Sequence, residues 1–445
     1  MFGYSMVTMV RKNAHKLDRP LREMLLNFYK PFKWTPCFLH NVLEGWMKKT
    51  KKLQLIVEFE ESDLPFRTAF TEVNKITRKH FGCKVRKEFP LVSCISAEIS
   101  PLALEEILNS CTCIKRVYLN REVQALLDVA VPSVNAKNVV RNETTLTGEG
   151  VTVAVIDTGI HPHQDLQGRI VNFVDFVNQQ TEPYDDNGHG THCAGDAVGN
   201  GSASSGKYMG PAPKANVIGV KVLNKMGSGS LETVMEGIDW CIKYNEDPNN
   251  TPKIDIISMS LGSAPTAYER ENDDPMVQYV ELAWNSGIVV CVAAGNDGPD
   301  GGTIASPGIS DQVITVGALD DRDTAETRED DDVANFSSRG PTPYGVTKPD
   351  ILAPGVNIVS LRSPNSYLDK LQKSNRVDSN YVTLSGTSMA TPICAGVVAL
   401  ILQANPDTTP NEVKELLRNG ATSWGERDPN IYGAGYINAE NSIPM

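Results

Sequence analysis

The spacing of apolar positions changes texture along this chain, and each texture predicts a different architecture. From Lys52 onward "LQLIVEFEE" reads as a strand. "DLPFRTAFTEVNKITRKHF" repeats its apolar positions every three or four residues, as a helix does. "KVRKEFPLVSCISAEIS" predicts one or two strands, "PLALEEILNS" a second helix and "CIKRVYLNREVQALL" a last strand. The order β-α-β-β-α-β over 52–127 is that of a small split-βαβ unit, large enough to fold but with a modest core.

A polar, turn-rich stretch (128–150) then acts as linker. Beyond it, "VTVAVID", "NVIGVKVL", "IDIISMSLG", "GIVVCVAAGN" and "QVITVGAL" are rich in β-branched residues and apolar on both faces. Strands of that kind are buried between helix layers in a parallel sheet. The expected class is therefore α/β, a doubly wound, mostly parallel sheet with helices on both faces, preceded by a small ferredoxin-like α+β domain. Functional groups belong at the carboxyl ends of such strands. The chain divides into 1–51, 52–127 and 128–445.

Charge sharpens this division. Residues 1–52 hold eleven Lys/Arg against three Asp/Glu, a net +8, whereas the whole chain carries −12. An acidic main body would be repelled by a phosphate backbone, so nucleic acid is excluded as the principal partner. The basic segment carries Phe28, Tyr29, Phe32, Trp34 and Trp46. Such a segment is able to lie on an anionic membrane, but a solvated helical lead-in is favoured over membrane association.

Nine cysteines at irregular spacing make a poor disulfide framework, and several stand in apolar runs where cysteine packs as a small hydrophobe. Reduced thiols fit the cytosol. The first twenty residues lack the apolar core and cleavage pattern of a secretory signal, and no uninterrupted apolar run reaches about 18 residues. A cytoplasmic protein is expected.

Three stretches carry chemistry. "VTVAVIDTGI" ends a buried strand on Asp157, where a carboxylate must be paired or serve as a strand-end cap. "DDNGHGTHCAG" (185–195) sets His189 and His192 three apart, and its glycines permit close approach of another element. "LSGTSMATPICAGVVALIL" (384–402) places Ser388 at the start of an apolar helix, near unpaired N–H groups and the positive end of the dipole. Taken alone, Ser388 is an N-cap and the two histidines are a candidate zinc pair with Asp185 or Asp186, in a zinc-dependent hydrolase.

Together, in the order Asp, His, Ser, these stretches resemble the subtilisin-like serine proteases. "VVCVAAGNDG" and "ISMSLG" extend the resemblance, which covers about two-thirds of the chain. It implies an intracellular serine endopeptidase with Asp157, His189 and Ser388 as catalytic triad. Asn296 would donate to the oxyanion with the backbone N–H of Ser388. His192 becomes a structural histidine, and Cys193 either packing or a thiol handle beside His189. Ser260, Leu261 and Gly262 would offer an edge to an extended peptide or protein substrate. Ala293, Ala294, Gly295 and Ala305 would line a first specificity pocket that favours apolar side chains.

The chemistry requires no cofactor. Asp165 matches a calcium ligand of many relatives, so a structural calcium is a candidate, but the partner loop "GNGSASSGKYMGP" departs from their pattern. "DDRDTAETREDDD" (320–332) lacks the spacing of a calcium loop and reads as a solvated insertion. The 52–127 unit resembles the family's propeptides, which implies an intramolecular inhibitor and self-cleavage within 124–128. The competing reading is a catalytically silent binding or chaperone protein of the same fold.

Overall fold

The computed structural model describes residues 5–29, 35, 40–60, 66–120, 122–125, 135–136, 138–264, 270–321 and 331–444. Contacts divide the chain into one unit of Met1–Arg121 and a second of Glu122–Pro265 with Glu269–Met445.

In the first unit, strands β1 (Leu53–Phe59), β2 (Lys84–Phe89), β3 (Cys94–Ile99) and β4 (Ile114–Leu119) form an antiparallel sheet in the order β2-β3-β1-β4. The helices are α1 (Ser5–Lys12), α2 (Arg19–Asn27), α3 (His40–Thr50), α4 (Phe66–Thr77) and α5 (Pro101–Ser110). The stretch 1–51 was expected to be a separate, solvated lead-in, and its described part is not. Met6, Met9, Leu17, Leu21 and Leu25 share one buried core with Leu55, Val73 and Leu104. The apolar stripe of a short amphipathic helix is stable only when covered, and here it completes an otherwise small core. Phe28 and Tyr29 pack against that core and Trp46 is exposed, while Phe32 and Trp34 lie outside the described residues.

The boundary also shifts. "CIKRVYLNREVQALL" was read as one strand, yet β4 stops at Leu119 and β5 (Glu122–Ala125) belongs to the second unit. There it pairs antiparallel with two short strands, Ser228–Ser230 and Leu261–Gly262.

The main sheet is built from β6 (Thr152–Asp157), β7 (Ile170–Asp175), β8 (Asn216–Lys221), then, after β9 (Ser228–Ser230), from β10 (Ile256–Met259). Past β11 (Leu261–Gly262) follow β12 (Val289–Ala293), β13 (Ile314–Asp320), β14 (Asp332–Val333) and β15 (Ile351–Pro354). Its order is β14-β13-β12-β10-β6-β8-β7, with β15 also beside β13, and only β14 runs antiparallel. Every residue of β6, β10 and β12 is buried, which is why these strands lack alternation. Helices α6 (His189–Val198) and α9 (Thr387–Ala404) pack together on the sheet, and α7 (Leu231–Glu246) packs with α8 (Pro275–Asn285). Among the described residues α9 is the one helix long and apolar enough to cross a membrane, and 89% of it is buried inside the fold.

Candidate active site

Parallel strands deliver their carboxyl ends to one edge, and Asp157 is the last residue of β6. Its backbone carbonyl accepts from Val222 N (2.9 Å) and Leu223 N (3.1 Å). Its carboxylate has no exposed surface, so it must be paired. Oδ1 accepts from Thr158 N at 2.7 Å, and His189 Nδ1 stands 2.8 and 2.9 Å from the two oxygens.

His189 opens α6, whose N-cap position is Gly188 and therefore offers no capping side chain. Asp185 supplies that function from three residues upstream. Its Oδ1 accepts from Asn187 N (3.1 Å) and Gly188 N (2.8 Å), and its Oδ2 from Thr191 N (2.9 Å). A carboxylate facing the first turn also complements the helix dipole. Gly190 permits the approach: a Cβ there would lie 2.3 Å from the Gly159 carbonyl oxygen and 3.1 Å from Asp157 Cβ.

Burial by itself would push the His189 pKa down. The Asp157 carboxylate outweighs it and holds the imidazolium well above the ordinary value near 6.5. With Nδ1–H committed to Asp157, the lone pair of the neutral ring sits on Nε2.

Ser388 is the second residue of α9, completely buried in this state. Its N–H belongs to the first turn, whose N–H groups have no intrahelical acceptor. Pro392, four residues on, brings no N–H to the Ser388 carbonyl. Two side chains replace the missing donor, Ser260 Oγ at 2.6 Å and the Cys193 thiol at 3.5 Å. In return Ser388 Oγ donates to the Ser260 carbonyl at 3.3 Å. Cys193 Sγ also lies 3.8 and 3.9 Å from the His189 ring nitrogens, so it links the two helix starts. Burial pushes its thiol up to about 12 against the pull of His189, so it remains a neutral S–H donor.

Asn296 follows β12. Its Oδ1 accepts from Thr387 N (3.0 Å) and Thr387 Oγ1 (3.1 Å), which leaves its NH2 as the end available to a ligand. Thr387 Oγ1 also accepts from Gly295 N at 3.2 Å, fastening this turn to the start of α9. Gly295 has φ +112°, and a Cβ there would meet Ser338 Oγ at 2.7 Å and Ala305 Cβ at 3.1 Å. Ala305 N donates to the Ala294 carbonyl at 2.8 Å, so Ala294, Gly295 and Ala305 form one wall, beside the buried Ala293 at the end of β12.

His192 does not share an ion with His189. Its Nε2–H donates to the Ile358 carbonyl at 3.2 Å, and its Nδ1 meets Asp196 Oδ2 at 2.9 Å. The zinc-pair reading fails because both ring nitrogens are engaged elsewhere. Asp185 caps α6 and Asp186 holds Lys221 (2.8 Å). Asp157, His189 and Cys193 do cluster closely enough to grip a metal, but the first two are already bonded to each other and the third is a neutral thiol.

The surroundings of Asp165 do not fit calcium either. Oδ1 accepts from Ser202 Oγ (3.1 Å) and Ala203 N (2.8 Å), and Oδ2 from the Tyr381 hydroxyl (2.6 Å). A calcium ion requires six to eight oxygen ligands, whereas these neighbours present hydrogens to the carboxylate. Residues 322–330 of the acidic stretch lie outside the described residues.

Thr158, Asp185, Lys221, Thr387 and Pro392 were not singled out by sequence for these roles. Only Pro392 carried a local signal, as a proline inside a helical pattern.

The sequence profile of the subtilase family matches residues 148–435. The chain is 64% identical to "Serine protease AprX" of Bacillus subtilis (strain 168) over 444 residues, the full length of both. It is 33% identical over 361 residues to "Thermostable alkaline protease" of Halalkalibacterium halodurans, covering 81% of this chain and 85% of that one. Among solved structures, fervidolysin from Fervidobacterium pennivorans, a keratinolytic enzyme related to subtilisin, shares the fold. The TM-score is 0.68 and the identity 22%, over 88% of this chain and 61% of that one.

Proposed function

This chain belongs to the subtilase family of serine proteases, and from that premise we propose how its residues divide the work. Ser388 Oγ attacks the scissile peptide carbonyl, and His189 Nε2 takes the serine proton and later gives it to the leaving amine. Asp157 fixes the tautomer and stabilises the imidazolium. The Asn296 NH2 and the Ser388 N–H receive the developing oxyanion. No cofactor enters these steps. The observation that carries this reading is the buried contact of His189 Nδ1 with both oxygens of Asp157.

The substrate lies as an extended strand between β9 and β11. The position of β5 supports this, because the chain's own residues 122–125 pair with both edges, Gln124 opposite Ser228 and Gly262, Ala125 opposite Leu261. Ser260, next on the enzyme side, carries the carbonyl that accepts from Ser388. The 52–127 unit thereby acts as an intramolecular inhibitor that the enzyme removes itself. The cleavage point belongs within 124–128, of which 126–128 lie outside the described residues. The wall of Ala293, Ala294, Gly295 and Ala305 carries no charge and selects apolar side chains. The setting is the cytoplasm, which the eight free cysteines among the described residues support.

Treating the purified, matured chain with a fluorophosphonate and mapping the adduct tests the assignment. Modification of Ser388, lost in Ser388→Ala, is the expected result. A matured chain that takes no label is a catalytically silent binding protein. N-terminal sequencing of active enzyme tests processing separately: an intact N-terminus removes the self-cleavage and leaves the triad standing.

A further inference from the structure

Lys221 is a cationic side chain with no exposed surface, and none of the steps above uses it. It ends β8 in register with Asp157 at the end of β6. An ammonium taken out of water is strongly disfavoured unless its three donors find acceptors. All three do. Nζ donates to the Thr158 carbonyl, to Asp186 Oδ1 at 2.8 Å and to the Leu223 carbonyl at 3.0 Å, and it stands 5.1 Å from the centre of the Tyr184 ring.

These acceptors lie on the segments that hold the Asp157–His189 pair. Leu223 N, with Val222 N, pins the Asp157 carbonyl. Thr158 donates its N–H to Asp157 Oδ1, and its hydroxyl donates to Asp185 Oδ1 at 2.9 Å while accepting from Gly190 N at 2.9 Å. Asp186 stands in the turn that leads into α6. One ammonium therefore joins the turn after the aspartate to the turn before the histidine.

We infer that Lys221 is a positioning residue for proteolysis: it fixes the Thr158 peptide against the 185–188 turn, and so sets how the Asp157 carboxylate meets the His189 ring. This rests on the triad assigned above. A methionine at 221 would fill much of the same space and supply none of the three hydrogen bonds. A lysine serving stability alone would change the folded fraction and not the turnover of the folded enzyme.

The test compares matured wild type, Lys221→Met and Asp186→Ala on one peptide substrate, well below each thermal midpoint. In Lys221→Met, kcat falls by about 10²-fold with KM within twofold, the loss that a misplacement of about 1 Å brings. Asp186→Ala removes one acceptor from the partly exposed side of the clamp and lowers kcat by about tenfold, again at constant KM. This second variant decides the matter if Lys221→Met does not fold. Wild-type kcat in a folded variant, with only the thermal midpoint reduced, overturns the inference. Failure of wild type itself to take the phosphonate at Ser388 is a different result, and overturns the triad reading beneath it.

Discussion

Ser260 and Ser388 exchange two hydrogen bonds, Ser260 Oγ to the Ser388 carbonyl at 2.6 Å and Ser388 Oγ to the Ser260 carbonyl at 3.3 Å. The exchange exists because Pro392 deprives the Ser388 carbonyl of its helical donor. A residue beside β11 thus orients the peptide unit of Ser388, the proposed nucleophile.

Removing that donor exposes the dependence. Ser260→Ala leaves a buried carbonyl with the weak Cys193 thiol alone, and should cost about 1–3 kcal/mol in chemical denaturation. Adding Pro392→Ala returns an N–H four residues on. The double variant should then recover part of the loss, whereas additive effects in the cycle would contradict the coupling.

Activity and stability should respond to pH in opposite senses at His189. As the base proposed above, His189 works only when neutral, and its pKa is raised, so activity should fall with decreasing pH at a higher value than an ordinary histidine gives. A raised folded-state pKa contributes stability that is complete below the unfolded value near 6.5 and is lost as pH rises through the folded one. Asp157→Asn should lower kcat by about 10⁴-fold and move the acid limb down. A pH–rate profile on both proteins checks this.

A second buried charge group lies away from the active residues. Lys348 Nζ donates to Asp350 Oδ2 at 2.6 Å and to the Val313 carbonyl at 3.0 Å, and Lys414 pairs with Asp350 Oδ1 at 3.0 Å. Burial depresses Lys348 to about 8, although Asp350 opposes it. Between about 8 and the ordinary 10.5 the unfolded chain binds the extra proton, so this group makes stability rise with pH in that window. Asp350→Ala removes the carboxylate that both ammonium groups share and leaves them backbone carbonyls, and should cost about 3–5 kcal/mol in urea unfolding.

At Asp165 hydrogen bonds stand where calcium was a candidate. Burial, with the bond to Asp165, keeps the Tyr381 phenol well above its usual pKa, so it remains a donor. Tyr381→Phe should lower stability by about 1–3 kcal/mol. A chelator should move the thermal midpoints of wild type and Asp165→Asn equally; a chelator effect abolished by Asp165→Asn would mean that the residue does hold a metal.

Cys193 offers a chemical check on the same neighbourhood. Its thiol, pushed up to about 12, should resist iodoacetamide at pH 8, since alkylation requires the thiolate. A mercurial that inhibits wild type but not Cys193→Ala would establish the thiol as a handle beside His189, and equal inhibition of both would exclude it.

Much of this protein is written locally. Buried parallel strands announce themselves as unbroken apolar runs, and β6, β8, β10, β12 and β13 lie where those runs stand. Asp157, His189 and Ser388 are recognisable because each sits in a distinctive short context: a strand end, a glycine-rich helix start, a serine heading an apolar helix. What the local pattern did not reveal is whatever depends on partners distant along the chain. The helices of residues 5–27 look solvated until Leu55 and Leu104 cover them. The edge at Ser228–Ser230 is too short and glycine-rich to signal a strand, and becomes one only by pairing with Glu122–Gln124. Lys221 reads as an ordinary lysine at a strand end, and Tyr381 as a strand aromatic 216 residues from Asp165. A hydrogen bond is decided by the position of its acceptor, so tertiary structure alone made one a clamp and the other the donor that closes a candidate metal site.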